Sequence, residues 1–93
     1  MTNLEKRKAK YKQDFLVFYR KADYISDPIE IPPLLDSFER FLLLAKVLFN
    51  KDLSLNYKKL AVLPTFLRPS VKLADKKESL RIYILNKYID LIS

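Results

Sequence analysis

The sequence predicts an all-α fold, a small single-domain bundle of three to four helices spanning residues 1–93 with proline-rich connections. Three observations carry that expectation. Apolar residues recur at helical spacing in long segments, five prolines fall between or at the edges of those segments, and glycine is absent altogether. At 49% hydrophobic residues, with six Phe and six Tyr, the chain has material for one core. A chain of this length still folds with little margin, so pairing with itself or with a partner is an open option.

Thr2-Asn3-Leu4-Glu5 has the spacing of a capping box, in which the Thr2 hydroxyl accepts the Glu5 N–H and the Glu5 carboxylate reaches back. Leu4, Tyr11, Phe15, Phe18 and Ala22 then follow at spacings of 7, 4, 3 and 4, one stripe of a helix over about 3–24. Residues 26–33 (Ser-Asp-Pro-Ile-Glu-Ile-Pro-Pro) must connect, because three prolines in six residues remove donors and extend the residue before each. Ile29 and Ile31 alternate with polar or proline neighbours and are expected to lie on the core.

A second helix is expected from about Pro33 to Asn50, since proline suits a first helical position. Leu34, Leu35, Phe38, Phe41, Leu42, Ala45, Leu48 and Phe49 form its core stripe. Leu43, Leu44 and Val47 fall outside that stripe, so residues 41–49 are apolar nearly all round. Such a helix is either central in its own fold or covered by something else.

Asp52 or Ser54 suits the cap of a short third helix over about 54–63, with Leu53, Tyr57, Leu60 and Ala61 as its face and Pro64 as its stop. Residues 64–74 carry two prolines and no period, which predicts a loop packed in part through Phe66 and Leu67. Asp75-Lys76-Lys77-Glu78 resembles another capping box, opening a fourth helix over about 76–92. Leu80, Ile84, Tyr88 and Leu91 give its stripe, and Ile82, Leu85, Ile89 and Ile92 widen it beyond what one contact requires.

Composition narrows the chemistry. Without Cys there is no disulfide framework and no thiolate metal site; without His the commonest general base and transition-metal ligand are gone. Without Gly, phosphate loops, nucleophile elbows and dinucleotide fingerprints are excluded. The eleven Asp and Glu are scattered among helix starts, connections and polar faces, and no nucleophile–base pair stands out. The expectation is a non-enzymatic protein with no catalytic residues, metal, cofactor or small-molecule substrate.

Charge distribution is the main positive signal. The net charge is +7, and residues 1–21 hold Lys6, Arg7, Lys8, Lys10, Lys12, Arg20 and Lys21 against Glu5 and Asp14, which is +5 of it. The leading expectation is therefore an accessory protein whose basic first helix engages a polyanion, RNA or DNA, with a nucleoprotein particle as one setting for it. Tyr11 and Tyr19 are available for stacking. The bland reading of the same lysines is a solubilising surface. The alternative function is a protein-interaction module, such as an inhibitor, immunity or assembly factor, or a homodimer, using Leu43, Leu44, Val47, Ile82 and Ile89. Binding to a membrane surface ranks below both, because Phe15, Leu16, Phe18 and Tyr19 are not free to insert if the helix packs. No apolar stretch reaches the ~20 residues of a membrane span and no secretory pattern is visible, so a soluble intracellular protein is the default.

Phe18-Tyr19-Arg20 on a basic helix resembles the Leu-Tyr-Arg signature of small helical mitochondrial assembly proteins, though its first letter differs. Residues 57–64 (Tyr-Lys-Lys-Leu-Ala-Val-Leu-Pro) resemble the end of a small-subunit ribosomal protein family, whose arginine-rich and glycine-containing parts are missing here. Four-helix bacteriocin immunity proteins are similar in length and charge without a shared motif. None of the three supports a family assignment.

Overall fold

A computed structural model describes residues 2–54 and 64–93 of the chain. Their regular structure is helical: α1 (Asn3–Asp23), α2 (Ile31–Phe49) and α3 (Leu73–Ile92), with 3-10 turns at Pro28–Glu30 and Thr65–Leu67. The short helix expected over 54–63 lies, Ser54 apart, outside the described residues, as do Tyr57, Leu60 and Ala61.

The expected box opens α1: Thr2 Oγ1 accepts the Glu5 N–H at 3.2 Å while Glu5 Oε2 accepts the Thr2 N–H at 3.4 Å. Arg20 and Lys21 occupy its last turn, where cations meet the negative end of the helix dipole. The strap that follows is fastened by two carboxylates. Asp27 Oδ1 accepts the Ile29 N–H at 3.0 Å, and Glu30 Oε2 accepts those of Ser26 and Asp27 at 2.8 and 2.9 Å. These two bonds hold the Glu30 carboxyl below its ordinary pKa.

Because the 3-10 turn has already wound the chain, α2 starts at Ile31 rather than Pro33. Pro32 and Pro33 fall in its first turn, where a missing N–H costs nothing. Ile31 is buried as expected, but Ile29 points away from the core and is 76% exposed. A 3-10 turn rotates residues by about a third of a circle each, so two residues apart no longer means the same face. Asn50 ends α2 in the left-handed region at φ 55°, which asparagine tolerates.

The start of α3 also differs from expectation. Extended Lys72 is its N-cap, and Asp75 sits inside the first turn instead of capping it. Its charge still meets the positive end of the dipole there. At the other end the Lys51 ammonium donates to the backbone oxygens of Asp90 (3.2 Å), Leu91 (2.9 Å) and Ser93, satisfying carbonyls that a helix end leaves bare.

Helix α1 packs against both α2 and α3. It runs antiparallel to each: Tyr11 meets Phe49 and Phe18 meets Phe38, while Phe15 meets Tyr88 and Asp23 meets Arg81. The core is built from Tyr11, Phe15 and Ala22 of α1, Leu35, Phe38, Leu42 and Ala45 of α2, and Leu80, Ile84 and Leu91 of α3. Phe66 is buried in the second 3-10 turn, as the loop reading expected. Leu4, the first member of the α1 stripe, is half exposed. Rings hold the centre, with Tyr11 stacked on Phe41 at 4.2 Å and Phe15 set edge-on to Tyr11, Phe38 and Phe41. Burial pushes the Tyr11 phenol up to about 12, and its hydroxyl donates to the Phe41 carbonyl at 2.8 Å. No helix among the described residues is long and apolar enough to cross a membrane.

Candidate docking surfaces

An α-helix turns 100° per residue, and this divides the seven cations of α1 into two groups around its buried stripe. Lys6, Arg7, Lys10, Arg20 and Lys21 are exposed and fall within roughly 140° of the circumference. Lys8 and Lys12 lie on the opposite flank, with their ammonium groups 5.3 and 5.7 Å from the centre of the Phe49 ring. Contacts of that kind contribute about 0.5–1 kcal/mol at exposed sites, so these two lysines have a structural use independent of any ligand. Lys21 similarly sits 5.7 Å from the Phe18 ring, and Lys10 pairs with Asp14 at 3.6 Å. The predicted basic set is thus brought onto one helix but not onto one face.

The five apolar residues singled out in α2 and in the last helix, α3, are all exposed, from 48% for Ile89 to 79% for Val47. Of the two expectations for residues 41–49, central burial does not hold. Helix α2 lies against α1 on one side only, and Leu43, Leu44 and Val47 face away from Leu35, Phe38, Leu42 and Ala45.

Leu44 and Val47 line a groove of about 310 Å³ between α1 and α2. Arg7, Lys10 and Asp14, spaced 3 and 4 apart, form its α1 wall, and Leu44, Val47 and Leu48 form its α2 wall. Tyr11 and Phe41 lie between them. The Tyr11 hydroxyl is already committed to the Phe41 carbonyl, so that part of the groove is apolar and its rim is cationic.

A second apolar surface lies on the other flank of α1. Ile82, Leu85, Ile89 and Ile92 recur at 3, 4 and 3 along α3, opposite its buried Leu80, Ile84 and Leu91. Leu16 and Tyr19 of α1 continue it: Leu16, Tyr19 and Leu85 border one shallow cleft, and Tyr19, Ile82, Leu85, Glu78 and Arg81 a neighbouring one. The sequence named Ile82 and Ile89 for this surface but missed Leu16 and Tyr19. Their signal was position: both lie beside the stripe Tyr11-Phe15-Phe18-Ala22, where an apolar residue has no core to enter.

Six of the eleven acidic residues are engaged in folding contacts rather than gathered together. Glu5, Asp27 and Glu30 cap backbone, Asp52 accepts from the Ser54 N–H and hydroxyl, Asp23 pairs with Arg81 at 2.9 Å, and Glu39 accepts from the Tyr83 hydroxyl. Comparison of the chain with protein-family models, curated proteins and solved structures finds no match.

Proposed function

We propose that this chain is a protein-interaction module whose α1–α2 groove receives an amphipathic segment of a partner, apolar on one side and acidic along its edge. The observation that carries the reading is the exposure of Leu44 and Val47 across the groove from Arg7 and Lys10. Apolar surface left uncovered in a small chain marks an interface. A basic rim steers an acidic partner and sets its register, while the apolar anchors supply residence time. Such a helix would lay residues at i, i+3 and i+7 along the crevice.

The test is site-specific photo-crosslinking from position 47 in the source cells, followed by titration of the purified captured protein. Leu44→Asp with Val47→Asp should weaken binding at least tenfold through faster dissociation. Arg7→Glu with Lys10→Glu should slow association and remove its salt dependence. A captured partner that binds both variants as it binds the original chain refutes the reading.

Polyanion binding through α1 stands as the second reading, favoured by the shared arc of Lys6, Arg7, Lys10, Arg20 and Lys21. Anisotropy titrations with RNA and DNA in low and moderate salt test it. Reversal of Lys6, Lys10 and Arg20 to Glu should abolish binding, and reversal of Lys8 and Lys12 should matter less. Affinity that survives the first set removes nucleic acid as the ligand.

A further inference from the structure

We infer that the α1–α3 face, on the flank of α1 away from the groove, pairs with the same face of a second copy of this chain. The proposal shares the premise that the uncovered apolar faces are interfaces, but it assigns a different surface and a different occupant.

Spacing is the first ground. Ile82, Leu85, Ile89 and Ile92 alternate 3 and 4 apart, the repeat that keeps a seam facing a neighbouring helix at a shallow crossing angle. Leu16 and Tyr19 extend the seam onto α1, so the surface is a two-helix layer rather than a single ridge. Two such layers face to face make a four-helix bundle, with the outward side of each α3 becoming interior. A two-fold arrangement needs one self-complementary patch, and this layer supplies it.

Area is the second ground. The six side chains Leu16, Tyr19, Ile82, Leu85, Ile89 and Ile92 are between 37% and 56% exposed. Together they present on the order of 500 Å² of apolar surface, at the upper end for a monomer's largest patch and most of the ~800 Å² per partner of a stable interface.

Charge selects the occupant. Two copies of a chain carrying +7 repel one another over most of their surfaces. On this face, however, the Arg81 guanidinium is held 2.9 Å from Asp23, and Glu78 lies at one end of the seam beside Tyr19 and Ile82. Lys12, on the same flank, turns its ammonium over Phe49. The layer is close to neutral, whereas Arg7 and Lys10 outnumber Asp14 in the α1–α2 groove and leave it a net positive charge that would repel a like copy. A second copy therefore fits here, and an acidic partner fits there.

Sedimentation equilibrium from micromolar to near-millimolar protein tests the pairing. The unaltered chain should rise from 11.0 kDa towards twice that mass. Ile89→Glu should raise the dimer dissociation constant at least tenfold with its far-UV circular dichroism unchanged. Leu16→Glu, on the other helix of the layer, should do the same and stands in if Ile89→Glu fails to fold. Val47→Glu should leave the dimer intact. A mass of 11.0 kDa throughout, a dimer that survives Leu16→Glu, or one that Val47→Glu dissociates would overturn the proposal. None of these outcomes bears on whether a partner enters the groove, which the position-47 crosslink reads separately.

Discussion

Replacing Tyr11 with Phe should reverse the order of stability of the two proteins between neutral and strongly alkaline pH. The Tyr11 side chain is buried, and its hydroxyl donates at 2.8 Å to the Phe41 carbonyl. That carbonyl lies in mid-helix and keeps its intrahelical donor when the hydroxyl is deleted, so the loss at neutral pH is about 1 kcal/mol, the net worth of one hydrogen bond. Alkali acts in the opposite direction. Burial raises the phenol from 10.0 to about 12, so the unfolded chain loses its proton first. The stability this group contributes is fully present below pH 10 and falls as pH rises through the folded value near 12. At 1.36 kcal/mol per unit, the loss reaches about 2–3 kcal/mol at the upper end of that window. The variant has no phenol there to ionise, and lysine deprotonation affects both proteins alike. Urea midpoints taken from pH 7 upward should therefore favour the original by about 1 kcal/mol and favour Tyr11→Phe above roughly pH 11. A difference that stays constant across that range would refute the reasoning, because it would mean the phenol ionises as readily folded as unfolded.

Three further perturbations are checked in the same way. Lys51→Met removes the ammonium that holds the carbonyls at the end of α3 and should cost about 1 kcal/mol, read as a Tm lowered by several degrees. Glu30→Gln should flatten the acid limb of the stability profile. The native carboxyl is held below its ordinary pKa, so its contribution is present above the unfolded value and is lost as pH falls through the folded one. Phe15→Ala empties the centre of the ring cluster and should cost about 3–5 kcal/mol, enough to leave this small chain largely unfolded by circular dichroism at ambient temperature.

What was legible in the sequence follows from how local each cause is. The Thr2–Glu5 box and, Leu4 apart, the helical stripes of α1 and α2 rest on periodicity or neighbouring residues, and they appear where the spacing places them. The start of α2 was displaced by a 3-10 turn fixed by Asp27 and Glu30, two side chains whose joint hydrogen bonding no apolar period reports. The start of α3 was misplaced because Lys72 caps with its backbone alone and leaves no side-chain signature. For the candidate surfaces, the excess of Leu43, Leu44, Val47, Ile82 and Ile89 was visible, but the side on which each is left bare depends on where α1 lies. The division of the cations was half legible. Helical spacing distributes Lys6 to Lys12 around the axis, yet the ring of Phe49 that holds Lys8 and Lys12 arrives from a segment about forty residues away.

The two uncovered faces also constrain one another. The residues lining the groove (Arg7, Lys10, Tyr11, Asp14, Phe41, Leu44, Val47 and Leu48) and those bordering the α1–α3 clefts have no member in common, and they lie on opposite flanks of the α1 stripe. One added helix cannot cover both. An arrangement that buried only the α3 seam would leave Leu43 and Val47 in water, and one that filled only the groove would leave Ile82 and Ile89 there. A chain this small would gain from each proposed contact separately, since whatever binds only the folded state adds to its stability by mass action. On the proposed pairings, the net positive groove and the near-neutral seam would keep the two occupants from exchanging places: a like copy would be repelled from the groove, and an acidic helix would find little compensating charge on the seam.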